Sequence, residues 1–126
     1  MNHYEAVLQE FAPVEPYVLS ALVDRGGILE IHLIDADGRK ACLTFDSHLG
    51  YRKLDEGDDL IGLAELSATA RPGRSFYRVT SSELVEWFVS RGHGTRKAGS
   101  ILHFVVTTVD DVIDVLALAE PVFRSE

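Results

Sequence analysis

The densest chemistry in the chain is acidic. Asp55, Glu56, Asp58 and Asp59 place four carboxylates within five consecutive positions, interrupted only by Gly57. Like charges held this close repel, so a cation, a basic partner or water must offset them. The spacing excludes a calcium loop, because the D-x-[DN]-x-[DN]-G-x₅-E pattern that arranges oxygens around a hard cation is absent. Two readings remain: a solvated turn, or a docking surface for Arg and Lys side chains that steers association and selects the partner. Tyr51 lies just upstream and is the aromatic anchor expected for such a surface, since interface hot spots favour Tyr, Trp and Arg. Asp110 and Asp111 form a second acidic pair and a second candidate contact.

The other reactive side chains do not assemble into a recognisable centre. His3, His32, His48, His93 and His103 are scattered. Asp46 and His48 are two apart and would share a strand face, which is a conceivable metal pair. Two ligands are not a site, and no metal is expected. His32 and His103 fall in strands, where a hydrogen-bonded structural histidine is the ordinary finding. Ser81 and Ser82 precede a helix and are explained by capping. The segment Gly92 to Lys97 mixes glycines and cations, but it follows a helix instead of opening one and lacks phosphate-loop spacing. It also lacks the interleaved aromatics of a single-strand nucleic-acid platform. Cys42, the single cysteine, reads as a packing residue of a strand and fits a reducing cytoplasm. No catalytic residue and no cofactor are expected.

Periodicity outlines the elements that must position these groups. Tyr4, Val7, Leu8 and Phe11 fall at i, i+3, i+4 and i+7, which predicts a short helix over 3–11, ended by Pro13 and Pro16. Residues 17–24 fit either a helix from Pro16 to Gly26 or a strand, and the clear strand pattern of the next segment favours the strand. That segment, residues 28–35, alternates, with Leu29, Ile31 and Leu33 on one face. Residues 39–46 alternate as well, with Ala41, Leu43 and Phe45 on one face. Asp37-Gly38 between them signals a hairpin. A two-residue loop would set Leu33 against Cys42 and mix the faces. A three-residue loop, Ala36 to Gly38, pairs Leu33 with Ala41, Ile31 with Leu43 and Leu29 with Phe45, so the buried face selects it.

Residues 47–75 are the least regular, with one short helix hinted by Leu60, Leu63 and Ala64. A strand is expected over 76–80. Thr80 and Glu83 have capping-box spacing ahead of a helix whose apolar face holds Leu84, Trp87 and Phe88, with Trp87 in the core. Residues 101–107 read as a central strand. Residues 112–119 read as its hairpin partner over a terminal helix because they are rich in β-branched residues. The sum is a single α+β domain spanning 1–126: an antiparallel sheet of five to six strands with two to three helices packed on it.

Composition sets the outer bounds. The chain has 126 residues, one domain's worth, with 46 % hydrophobic and 25 % charged residues. That balance excludes a disordered tail, a collagen-like fibre and a disulfide scaffold. No apolar run approaches the roughly 18 residues of a membrane span, and the first ten residues lack the pattern of a signal peptide. The net charge is −8. Residues 1–70 carry 13 acids against 5 bases, whereas residues 71–106 carry 2 acids against 6 bases. A negative field disfavours nucleic acid and anionic membrane and favours basic partners.

Three stretches also carry a family likeness. LTFDSHLGYRKLDEGD (43–58), FYRVTSSELVEWF (76–88) and LHFVVTTVDDVIDVLALAEP (102–121) resemble small cytosolic immunity-type proteins of bacterial polymorphic and contact-delivered toxin systems. The shared elements are an aromatic-Arg pair before an acidic turn, an aromatic-Arg strand leading into an S-x-x-L-x-x-W-F helix, and a closing pair of hydrophobic strands around Asp. The basic Gly-rich segment after Arg91 departs from the pattern. The resemblance implies a cytoplasmic binding protein, not an enzyme, that occludes a cognate toxin domain. Tyr51, Asp55, Glu56, Asp58, Asp59, Asp110 and Asp111 would face a basic surface of that domain. The alternatives are a ligand-binding or enzymatic domain with a cleft between sheet and helices, using His48 or His93, and a homodimer formed through a sheet edge.

Overall fold

The computed structural model describes residues 1–126 and builds them into nine strands and two α-helices. The strands are β1 (His3–Ala6), β2 (Val18–Arg25), β3 (Ile28–Ile34), β4 (Lys40–Phe45), β5 (His48–Asp55), β6 (Phe76–Thr80), β7 (Leu102–Thr107), β8 (Asp111–Ala117) and β9 (Val122–Ser125). The helices are α1 (Leu60–Thr69) and α2 (Glu83–Arg91). Every strand pairing is antiparallel. The fold is α+β as expected, but the strands divide into two sheets. One has the order β1-β6-β7-β8-β5 and the other β2-β3-β4-β9.

The hairpin of β3 and β4 is dictated by its buried face. Leu29 pairs with Phe45, Ile31 with Leu43 and Leu33 with Ala41, and Asp35 N–H donates to the Arg39 carbonyl at 2.9 Å. Gly38 sits at φ +82°, the left-handed conformation the three-residue loop requires. These inward side chains meet Phe76, Phe104, Val106, Ile113 and Val115 of the other sheet in one shared core. Phe45 and Phe104 touch edge to face across it, with centroids 5.6 Å apart. The opposite face of the five-stranded sheet carries both helices. Leu66 of α1 packs on Tyr4, Tyr77 and Val105, and Val85 of α2 packs beside Ile101 and Leu116. β7 and β8 are therefore covered on both faces, which explains their nearly continuous apolar runs.

Four expectations need correction. Residues 3–11 form β1 and a short 3₁₀ turn, not one helix. Tyr4 serves the helix-side core while Val7 and Leu8 serve the core between the sheets, so the chain crosses the layer and Leu8 takes φ +51° at the crossing. Residues 48–55 form the edge strand β5, hidden from pattern reading by a register shift between His48 and Gly50 that breaks the alternation. The cap of α2 is Ser82, whose hydroxyl accepts from Val85 N–H at 3.1 Å; Thr80 is still strand. Trp87 is 57 % exposed instead of core, because α2 turns Val85 innermost.

Candidate functional site

The acidic segments separated in sequence meet in space. β5 lies beside β8 with Asp55 opposite Asp111, and Glu56 N–H donates to the Asp110 carbonyl at 2.9 Å. The turn after β5 is built by its own acids: Asp55 Oδ1 accepts from Gly57 N–H at 2.9 Å and starts a 3₁₀ turn over 56–58. Directly after it, Asp59 opens α1.

The six carboxylates then divide by role. Asp59 is half-buried and folds over Gly62, where any Cβ would collide with its carboxylate. Burial pushes the Asp59 carboxyl above its ordinary range, the Asp114 charge adds to this, and Arg52 opposes it. Asp111 binds Lys53 Nζ at 3.1 Å and accepts from the Thr108 hydroxyl at 3.3 Å. Asp55, Glu56, Asp58 and Asp110 remain exposed, and no ion pair within the chain reaches them. The nearby cations are engaged elsewhere, Lys53 on Asp111 and Arg52 on Asp114.

Strand β5 borders this ridge as the last strand of its sheet, paired only with β8. Its outward main-chain groups are an open edge to which another chain can add. Tyr51, at its middle, is 42 % exposed and lies beside the His48 ring, centroid to centroid 5.9 Å. On the helix side, β5 and α2 enclose a groove of about 630 Å³ whose wall includes Arg52, Leu84, Trp87, Phe88 and Leu116. Two exposed aromatics, one guanidinium and an acidic ridge thus flank a single strand edge. The sequence pointed to Tyr51 and the acids but not to Trp87.

A buried polar chain anchors the groove from beneath. His103 of β7 and Asp114 of β8 lie on the helix side of the sheet, each 2 % exposed, with Nε2 and Oδ1 2.7 Å apart. His103 Nδ1 is 2.6 Å from the Ser82 hydroxyl. Arg52 closes the other end, with Nε and Nη2 both on Asp114 Oδ2 at 3.1 and 3.0 Å. One assignment of directions satisfies every atom: Val85 N–H donates to Ser82, Ser82 donates to His103 Nδ1, and His103 Nε2–H donates to Asp114. The chain thereby fastens the start of α2 to two central strands and to β5. It is also a Ser–His–Asp sequence of the kind that activates a nucleophile, although Ser82 is 7 % exposed and already holds the helix cap. Sequence pattern assigns Ser82 to a cap and His103 to a structural role; the signal it misses is a polar residue in the middle of each of two apolar runs.

Of the histidines considered for an alternative site, His48 faces Asp24 of β2 at 3.4 Å instead of Asp46. His93 sits in the exposed turn after α2 at φ +55°. No helix is long and apolar enough to cross a membrane. No family model, no curated protein and no solved structure matches this chain.

Proposed function

We propose that the protein is an immunity-type binding protein of the cytoplasm, which neutralises a cognate toxin domain by covering its active or substrate-binding surface. One observation carries the reading. Asp55, Glu56, Asp58 and Asp110 converge from two segments into a ridge without internal cations, at the end of an open strand edge flanked by Tyr51 and Trp87. Such a ridge favours a basic protein surface over nucleic acid, and the aromatics supply the desolvated anchors that charge alone lacks. In this reading the protein acts by occupancy and carries out no reaction.

The test is association with a cognate toxin domain, sought first among the products of the neighbouring genes. Asp55→Lys with Asp58→Lys should slow association at least about tenfold at low salt, flatten its salt dependence and remove protection of toxin-expressing cells. An unchanged on-rate and salt slope in this folded double variant would sink the proposal.

The Ser82–His103–Asp114 order favours a second reading, an enzymatic domain working from the cleft between sheet and helices. Labelling of Ser82 by a fluorophosphonate probe, lost in Ser82→Ala, would support it over the first. A chain inert to the probe leaves the network its fastening role.

A further inference from the structure

The outer face of the four-stranded sheet holds a cluster that neither the ridge nor the buried chain uses. The register of β3 and β4 sets His32 directly opposite Cys42, and the chain after β9 returns Glu126 to the same place. One ligand atom from each of His32, Cys42 and Glu126 lies within 4.8 Å of the other two. The two ring nitrogens of His32 have different neighbours: Nε2 is 3.2 Å from Glu30 Oε1, and Nδ1 is 3.8 Å from Glu126 Oε1. The backbone on both sides is tied down, since Glu126 N–H donates to the Lys40 carbonyl at 2.8 Å and the Ser20 hydroxyl donates to the His32 carbonyl at 3.3 Å.

We propose that His32 Nδ1, Cys42 Sγ and a Glu126 carboxylate oxygen bind one divalent cation of the zinc class, with water as the fourth ligand. Zinc accepts nitrogen, sulfur and oxygen at about 2.0–2.3 Å in a tetrahedron, which places ligand atoms about 3.3–3.8 Å apart. His32 Nδ1 and Glu126 Oε1, 3.8 Å apart, stand about 0.5 Å beyond the spacing of a nitrogen and an oxygen on one tetrahedral ion. The remaining closure is less than about 1.5 Å for each pair; the 47 % exposed Glu126 side chain supplies its share by rotation, and the half-buried His32 ring must turn toward the buried Cys42 thiol for the rest. A mixed sulfur, nitrogen and oxygen set selects zinc over calcium and magnesium, which take oxygen alone. Glu30 completes the arrangement from outside it. By accepting from His32 Nε2–H, it fixes the tautomer that leaves the Nδ1 lone pair for the metal. Arg124, the register partner of Cys42 on β9, carries a like charge beside the site, but it is exposed and makes no ion pair, so its guanidinium is free to swing into solvent when the cation binds.

No sequence motif announces this site. His32 and Cys42 meet through hairpin register, and Glu126 joins them only because β9 pairs with β4. The site lies on the sheet that carries neither helix, so it stands independently of the toxin-binding reading.

The experiment titrates the full chain, stripped of metal, with zinc chloride by calorimetry and with cobalt(II) chloride as an optical probe. One equivalent of zinc should bind. The cobalt complex should show the intense visible bands of a tetrahedral ion together with a thiolate-to-metal charge-transfer band. Cys42→Ser should abolish that band. His32→Ala and Glu126→Gln, both at solvent-accessible positions where folding is not at risk, should each weaken zinc at least about tenfold. Glu30→Gln should weaken it about 10–100-fold while the charge-transfer band persists, as a positioning role requires. An octahedral cobalt spectrum without a thiolate band would overturn the proposal. Zinc affinity unchanged in His32→Ala and Glu126→Gln would overturn it too, by placing any bound metal on other histidines.

Discussion

Asp114 Oδ1 and His103 Nε2 lie 2.7 Å apart at the centre of a five-stranded sheet, with both residues almost entirely removed from water. A carboxylate there is tolerated because each of its oxygens is engaged, one by the imidazole and the other by the Arg52 guanidinium. Removing a charge from water without such partners costs several kcal/mol. The pair therefore ties β7, β8, β5 and, through Ser82, the first turn of α2 into one polar unit.

Cutting that unit at its centre should be severe. Asp114→Ala leaves His103 without its acceptor and Arg52 without its counter-charge, and should lower stability by about 3–5 kcal/mol. Ser82→Ala removes the helix cap and one partner of His103, and should lower it by about 1–3 kcal/mol. Urea unfolding followed by circular dichroism measures both. A loss below about 1 kcal/mol for Asp114→Ala would show that the chain is not held by this contact.

Leu43 provides the apolar counterpart. It is fully buried between the sheets, opposite Ile31 in the hairpin and Phe123 on β9. Leu43→Ala should destabilise by about 2–5 kcal/mol through lost burial and the cavity left behind. The same denaturation assay decides it, and a change near zero would contradict a shared core between the two sheets.

Tyr4 is one of three tyrosines, with Tyr17 and Tyr77, whose hydroxyls burial pushes up and which together weaken the fold at alkaline pH. Burial against α1 pushes the Tyr4 hydroxyl from 10.0 up to about 12, and the Asp114 charge reinforces the shift. In the unfolded chain the phenol ionises near its ordinary value, so the unfolded state releases a proton first as pH rises. Below pH 10 Tyr4 is neutral in both states and contributes no pH dependence; between 10 and about 12 its share of stability declines. Tyr4→Phe should flatten that part of the stability profile and delete a late tyrosinate absorbance step. A variant whose alkaline profile matches the parent would assign the decline to other groups.

How legible each feature is in the sequence depends on where its constraint is stored. The β3–β4 register is readable because Leu29, Ile31, Leu33, Leu43 and Phe45 all answer to one buried face, and a one-residue slip would expose them together. β1 passes for a helix because the spacing of Tyr4, Val7 and Leu8 looks the same when one chain serves two cores in succession. β5 is hidden by its register shift and by its exposed edge, where packing imposes little pattern. The approach of Glu56 to Asp110 depends on β5 lying beside β8, which no local spacing encodes. The polar chain from Ser82 to Arg52 likewise needs four elements in register before its members touch.

Trp87 separates docking from folding. Its side chain stands in the groove beside Arg52 and Leu84, yet it is 57 % exposed and contributes little to the cores. Trp87→Ala should therefore shift stability by no more than about 0.5 kcal/mol. If the groove and the β5 edge receive the toxin domain, the same change should weaken binding by about 2 kcal/mol, close to thirtyfold, because a truncated central aromatic leaves its pocket on the partner unfilled. The loss should fall on dissociation, in contrast to the association defect expected from charge reversal at Asp55 and Asp58. Kinetic binding traces for the two variants, recorded side by side at two salt concentrations, distinguish an aromatic anchor from an electrostatic guide. Equal dissociation rates for Trp87→Ala and the parent would place the contact on the acidic ridge and Tyr51 alone.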